Sequence, residues 1–231
     1  MQAISALNHT DVFFVMDKGE HKSKLVALRR GICERFIREP GYRFVELLDP
    51  QRAGGQDGRA YRSAVVDWHA ARARLWADAI AGELAPGESG AFLAWGDPSL
   101  YDSVLRILDT VAQHVDISYD VIPGITAVQA LTARHRIPLN DIGEPVLITT
   151  GRQLRSNGLA GTAVVMLDGD CSFASCPPDT RIWWGAYLGT ADELLVSGTV
   201  SEVGQRIVEL RADARARHGW VMDTYLLRSP D

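Results

Sequence analysis

The chain of 231 residues carries 24 Lys and Arg against 29 Asp and Glu, a formal net charge of −5. With 46% hydrophobic and 23% charged residues it can build a core, so a disordered chain is excluded, and the length suits two modest domains. The mean hydropathy of −0.05 and the lack of any long apolar run exclude a membrane-spanning helix, and the acidic balance argues against non-specific nucleic-acid binding.

Three cysteines, Cys33, Cys171 and Cys176, are an odd number without CxxC spacing. That pattern favours a cytoplasmic protein over a secreted disulfide scaffold and predicts no metal site. No basic and apolar leader of signal-peptide type opens the chain.

In chain order, residues 1–8 read as part of a helix, with Met1, Ile4 and Leu7 on one face. Residues 12–16, VFFVM, form an apolar run of buried-strand type. Leu25, Leu28, Ile32 and Phe36 recur at helical steps until Pro40 and Gly41. Residues 42–48 suggest a strand, and residues 49–58 a polar loop around Gly54 and Gly55. The longest helix is expected over residues 60–81, with an apolar stripe of Tyr61, Val65, Trp68, Leu75, Ala79 and Ile80 and with Arg72, Arg74 and Asp78 off it. Residues 91–95 then suggest a strand, 103–113 a helix with Val104, Leu105, Leu108 and Ala112 inward, 116–122 a strand, and 126–135 a helix. Strand candidates over 145–149, 162–167, 181–187 and 220–227 follow, with one long helix over 199–218 whose Arg206, Arg211, Arg215 and Arg217 read as a solvated face. One ring of Trp183-Trp184 is expected in the core.

The first half alternates strand and helix, which predicts a mainly parallel sheet with helical crossovers; the second half is richer in strands. The change of rhythm divides the chain into residues 1–122 and 123–231.

Parallel α/β sheets bind ligands beyond the carboxyl ends of their strands. Three loops are candidates. In Gly96-Asp97-Pro98-Ser99-Leu100-Tyr101, glycine admits a ligand to the backbone and Asp97 accepts hydrogen bonds; the plainer reading makes Asp97 an N-cap with Pro98 at the first helical position. In Val121-Ile122-Pro123-Gly124-Ile125-Thr126-Ala127 a strand gives way to a helix whose free amides suit a carboxylate. Thr149-Thr150-Gly151-Arg152 could meet an anion or simply face solvent. The fingerprints of dinucleotide-binding folds, P-loops and α/β-hydrolases are absent, and the six histidines are scattered.

GDPSLY followed by VIPGIT and a strand-rich second half resembles the tetrapyrrole (corrin/porphyrin) methylase family. The segments DVFFVMDKGEHKSKLVALRRGICERFI, DPQRAGGQDGRAYRSAVVDWHAARA and VIPGITAVQALTARHRIPLNDIGEPVLITTGR extend the resemblance over nearly the whole chain. It implies an α/β, two-domain tetrapyrrole methylase fold, with a parallel-sheet first domain, a mixed-sheet second domain and S-adenosyl-L-methionine in the cleft between them. It also implies methyl transfer to C1 of a small-molecule tetrapyrrole, precorrin-5, with release of acetate in cobalamin biosynthesis, by a homodimer without metal, nucleic acid or membrane.

By family position, Gly96, Asp97, Pro98, Tyr101, Pro123, Gly124, Ile125, Thr126 and Ala127 would line the cofactor site, and Leu167, Gly185, Ala186 and Tyr187 would hold its adenosine part. Tyr101, Asp141, Thr150 and Arg152 are the catalytic candidates for the deacetylation, and Arg152 and Arg155 would anchor substrate carboxylates. The family opens with a strand and a GxGxGD-type loop, whereas this chain begins within what reads as the following helix. The expectation is a start upstream; the alternatives are a truncated, non-catalytic tetrapyrrole-binding relative, or a methylase of another precorrin position.

Overall fold

The computed structural model describes residues 1–17, 23–51 and 58–230, which form two compact units, Met1–Gly124 and Ile125–Asp231. Gly54 and Gly55, and the parts of the quoted segments at 18–22 and 52–57, lie outside the described residues, as do the side chains of Leu25 and Tyr61.

In the first unit, helix α1 (Gln2–Leu7) precedes strand β1 (Val12–Asp17), followed by α2 (Ser23–Phe36), β2 (Arg43–Leu48), α3 (Gly58–Glu83), β3 (Gly90–Phe92) and α4 (Val104–Val111). The sheet is wholly parallel in the order β2-β1-β3. β1 lies in the middle, and Val12, Phe13, Phe14 and Val15 are all buried, which is why its sequence is a continuous apolar run. On one face Phe13 packs with Leu7 of α1 and Cys33 of α2. On the other, Val12 and Phe14 meet Ala73, Trp76, Ala77 and Ile80 of α3 and Ile107 and Val111 of α4. The Trp76 and Phe92 rings stack at 4.0 Å.

Four expectations are corrected here, two of them in part. The buried stripe of α3 is Ala73, Trp76, Ala77 and Ile80: the expected Ile80 is in it and the expected Leu75 and Ala79 pack against it, but its centre is Ala73, Trp76 and Ala77. Arg72, expected off the stripe, is buried because its Nε and Nη2 donate to the two carboxylate oxygens of Asp49, both at 2.6 Å. The inward face of α4 is centred on the buried Ile107 and Val111; the expected Val104 and Leu108 pack against the same core, whereas Ala112 is exposed. Residues 116–122 form no strand: their β-branched pattern suits one, but no described neighbour completes a ladder. Tyr119 there donates its hydroxyl to Asp109 at 2.7 Å.

The second unit runs α5 (Ala127–His135), β4 (Val146–Thr150), α6 (Gly151–Asn157), β5 (Thr162–Met166), a single 3-10 turn (Ser172–Ser175), β6 (Arg181–Ala186), β7 (Leu194–Thr199), α7 (Val200–His218) and β8 (Asp223–Arg228). Its five-stranded mixed sheet has the order β4-β5-β8-β6-β7. α6 and β7 escaped the sequence reading: one is a single short helix in a region read as a loop, the other a strand interrupted by Ser197 and Gly198. Both rings of Trp183-Trp184 are buried, not one.

Thr199 and Glu202 form a capping box at the start of α7, and Gly219 ends it in the left-handed region at φ 76. Ile207 and Ala214 pack this helix on Trp184, Val196 and Tyr225 of the sheet. Arg211 leaves the expected solvated face: its Nε donates to Asp223 Oδ2 at 2.8 Å and its Nη2 to the Asp168 carbonyl at 2.6 Å.

Candidate active site

In the first unit the candidate loop follows β3 at the carboxyl edge of the parallel sheet. Asp97 caps no helix, since α4 starts only at Val104. Its Oδ1 instead accepts the Ser99 amide at 2.9 Å and its Oδ2 the Gly124 amide at 2.8 Å. These bonds, with that from the Ser99 hydroxyl, hold the Asp97 carboxyl below its ordinary value, so it is ionised at neutral pH. Gly124 approaches so closely that a Cβ there would lie 1.8 Å from the Gly96 carbonyl oxygen. Two loops about 27 residues apart in sequence are thereby joined as one surface. Arg29 supports the approach to this loop: its Nε donates to the Leu93 carbonyl at 2.9 Å and its guanidinium lies 5.1 Å over the Trp95 ring. No local signal in the sequence points to Arg29.

Tyr101 is 44% exposed with φ 51, a left-handed backbone that costs a non-glycine residue energy. Within the second unit, Leu167 (φ 53) and Tyr187 (φ 51) share that conformation, directly after β5 and β6. Five non-glycine residues in the described chain have positive φ, and three of them were singled out from the sequence as site residues. Such strain concentrates where surrounding structure holds a backbone for a ligand.

The registers place Thr150, Met166 and Gly185 at one edge of the second sheet, with Thr224 between the last two. Leu167, 67% exposed, emerges from that edge. Tyr187 has its ring buried and its hydroxyl on the Trp220 carbonyl at 2.5 Å, and Ala186 is buried, so a ligand here meets backbone. Gly185 has no room for a Cβ, which would sit 2.9 Å from Leu131 of α5. Thr126 caps α5 and completes a capping box with Gln129, while Ile125 before it is 77% exposed.

The catalytic candidates are not all brought together. Thr150 and Arg152 stand at the edge with Leu167, Thr150 acting as the N-cap of α6. Asp141 precedes β4 and pairs with Arg228 at 3.4 Å, at the opposite edge of the same sheet. Arg155 faces Asp170 at 2.7 Å and the Ser172 hydroxyl at 2.9 Å.

One residue of this edge was missed. Asp168 is buried and accepts from the Tyr225 hydroxyl at 2.6 Å, the Ser172 amide at 2.6 Å, the Ser172 hydroxyl at 2.7 Å and the Asp170 amide at 3.1 Å. Burial opposes its charge, but these bonds prevail and its pKa is lowered. It fixes the turn next to the strained Leu167 and requires glycine at 151, where a Cβ would meet its Oδ1 at 2.1 Å. An acidic residue just after a buried strand was the available signal.

The sequence pattern of the Tetrapyrrole (Corrin/Porphyrin) Methylases matches residues 1–204. The chain belongs to this family. It is 49% identical to "Precorrin-6A synthase [deacetylating]" of Sinorhizobium sp over 99% of this chain and 88% of that protein. Precorrin-2 C(20)-methyltransferase from the same genus is 27% identical over 60% of this chain and 53% of its own length. Among solved structures, the cobalamin synthesis related protein CobF of Corynebacterium diphtheriae is similar with a TM-score of 0.83 and 43% identity, covering all of this chain and 92% of that one. Uroporphyrin-III C-methyl transferase of Thermus thermophilus, solved with S-adenosyl homocysteine, shares the fold at a TM-score of 0.58 and 17% identity, over 99% of this chain and 90% of its own. This methylase is thus an α/β enzyme of the expected architecture, a parallel-sheet unit followed by a mixed-sheet unit.

Proposed function

We infer that this methylase transfers the methyl group of S-adenosyl-L-methionine to C1 of precorrin-5 and releases the acetyl group as acetate, giving precorrin-6A. The identity of 49% to a deacetylating precorrin-6A synthase along 99% of the chain carries this reading. The local geometry supports it. Gly96, Asp97, Pro98, Tyr101, Pro123 and Gly124 form one pinned surface in the first unit. In the second unit Ile125 and Leu167 offer exposed apolar side chains suited to an adenosine, and Thr126, Ala127, Gly185, Ala186 and Tyr187 complete the proposed set.

A sulfonium is already a good leaving group, so these residues serve chiefly to align donor and acceptor carbon. The ionised Asp97 keeps its loop closed on Gly124, and the left-handed turns at Tyr101, Leu167 and Tyr187 hold backbone groups fixed for the cofactor. Arg152 and Arg155 are reasonable anchors for the carboxylates of the substrate. No helix among the described residues is long and apolar enough to cross a membrane. Cytoplasmic work on a small substrate is part of this proposal. A homodimer belongs to the same reading.

Calorimetric titration with S-adenosylhomocysteine tests the cofactor, and incubation with precorrin-5 and S-adenosylmethionine tests the reaction. Micromolar binding with matched formation of S-adenosylhomocysteine and acetate is expected. Binding without turnover would leave a non-catalytic relative or a methylase of another precorrin position.

A further inference from the structure

One pair of side chains at the carboxyl edge of the first sheet has no part in the cofactor surface. His69 Nε2 lies 2.9 Å from the Ser103 hydroxyl oxygen. The turn of α3 that carries His69 stands level with the end of β2. Trp68 Nε1 donates to the Pro50 carbonyl at 3.0 Å, and Arg72 grips Asp49, the residue after that strand. Ser103 ends the loop that begins with Gly96, two residues beyond the strained Tyr101. Both partners are half-buried.

Ser103 occupies the N-cap position of α4, yet its side chain makes no capping bond; Asp102 Oδ1 takes the Val104 amide at 2.7 Å instead. A serine at that position ordinarily turns its oxygen to the first helical amides. Here the hydroxyl faces an imidazole, the arrangement of a nucleophile beside its base. His69 is held below its ordinary pKa, chiefly by burial and then by the positive charges of Arg106 on α4 and Arg72 on α3, the latter ion-paired with Asp49. It is therefore neutral at pH 7 and able to take a proton.

We propose that Ser103 and His69 remove the acetyl group: the Ser103 hydroxyl oxygen attacks the acetyl carbonyl carbon while its proton passes to His69 Nε2. This rests on the precorrin-5 reading above. The bond between the acetyl carbon and the macrocycle breaks, and its electron pair stays on the conjugated ring system. That pair then forms the bond to the methyl carbon as the sulfonium bond breaks and S-adenosylhomocysteine leaves. His69 gives the proton it took from Ser103 to solvent and, neutral again, takes a proton from water, which hydrolyses the acetyl-serine to acetate and restores Ser103 and His69 as the second proton is released. The sum consumes precorrin-5, S-adenosylmethionine and water, and yields precorrin-6A, S-adenosylhomocysteine, acetate and two protons. The order explains why one enzyme does both steps: acyl cleavage creates the carbon nucleophile that methyl transfer requires.

The test follows acetate release and S-adenosylhomocysteine binding separately in the full-length chain and in Ser103→Ala and His69→Gln. Expected are losses in acetate release of about a hundredfold or more in both variants, with S-adenosylhomocysteine affinity unchanged within about twofold, which also reports that each variant is folded. Acid quenching of the unsubstituted chain and of His69→Gln during turnover, followed by peptide mass analysis, should find acetyl on Ser103. Acetate release within twofold of normal in a cofactor-binding Ser103→Ala, or no acetyl on Ser103 in either quenched sample, overturns the proposal. Absence of both products from the unsubstituted chain would instead overturn the precorrin-5 reading.

Discussion

The carboxylate of Asp97 accepts the backbone amide of Gly124 at 2.8 Å, and this bond joins the two loops that the sequence marks most strongly. Its consequence is testable from both ends. Asp97→Ala is expected to weaken S-adenosylhomocysteine binding by about tenfold by calorimetry, because a charge-assisted acceptor is lost and the loop is released. Gly124→Ala puts a Cβ against the Gly96 carbonyl; it should cost about 1–3 kcal/mol in urea unfolding and weaken binding at least as much as Asp97→Ala.

Leu167 separates a ligand role from a packing role. It is mostly exposed, so little burial is lost on substitution. Leu167→Gly should alter stability by less than about 1 kcal/mol, since relief of the left-handed backbone offsets the added chain entropy. Leu167→Val should destabilise by about 1–2 kcal/mol, because a branched Cβ fits φ 53 poorly. Both should weaken S-adenosylhomocysteine binding by about tenfold; unchanged affinity in Leu167→Gly would remove Leu167 from the cofactor site.

Asp168 sets a pH dependence of defined sign. Its pKa is lowered in the folded chain, so its contribution is fully present above the ordinary carboxylate pKa of about 4 and is lost as pH falls through the lower folded value. Stability should therefore fall on the acid side of about pH 4. Asp168→Asn should be less stable at pH 7 and flatten that acid limb. Tyr225→Phe, which removes the 2.6 Å bond, should cost about 1–3 kcal/mol by chemical unfolding at pH 7.

Arg72 and Asp49 form a nearly buried pair with side chains 6% and 13% exposed. Arg72→Met should destabilise by about 3–5 kcal/mol, since it leaves Asp49 charged with its partner gone. The double variant Arg72→Met with Asp49→Leu should recover much of that loss in the same urea titration; an equal or larger loss would show that the pair contributes packing rather than charge compensation.

Much of the architecture was legible because it rests on local periodicity. The unbroken run VFFVM announces a strand covered on both faces, and Thr199 with Glu202 and Gly219 marks both ends of α7. The GDPSLY and VIPGIT loops were legible for a similar reason: glycine and proline restrict or free the backbone wherever they occur. Pairing was not legible. Residues 116–122 have the composition of a strand and no ladder, because a strand is completed by a neighbour that its own sequence does not name.

The same division governs the site. Sequence alone determined the two-part α/β plan, the glycine- and proline-bearing turns GDPSLY and VIPGIT and the likeness to a methylase family. Tertiary structure alone decided which side chains meet across long separations. It joined Asp97 to Gly124, moved Arg72 and Arg211 from expected solvent to buried partners, set Asp141 at the edge away from Thr150, and placed His69 beside Ser103. Burial makes an unpaired charge costly, so the partner's position in space, not the residue's place in a local pattern, dictates where each charged side chain lies.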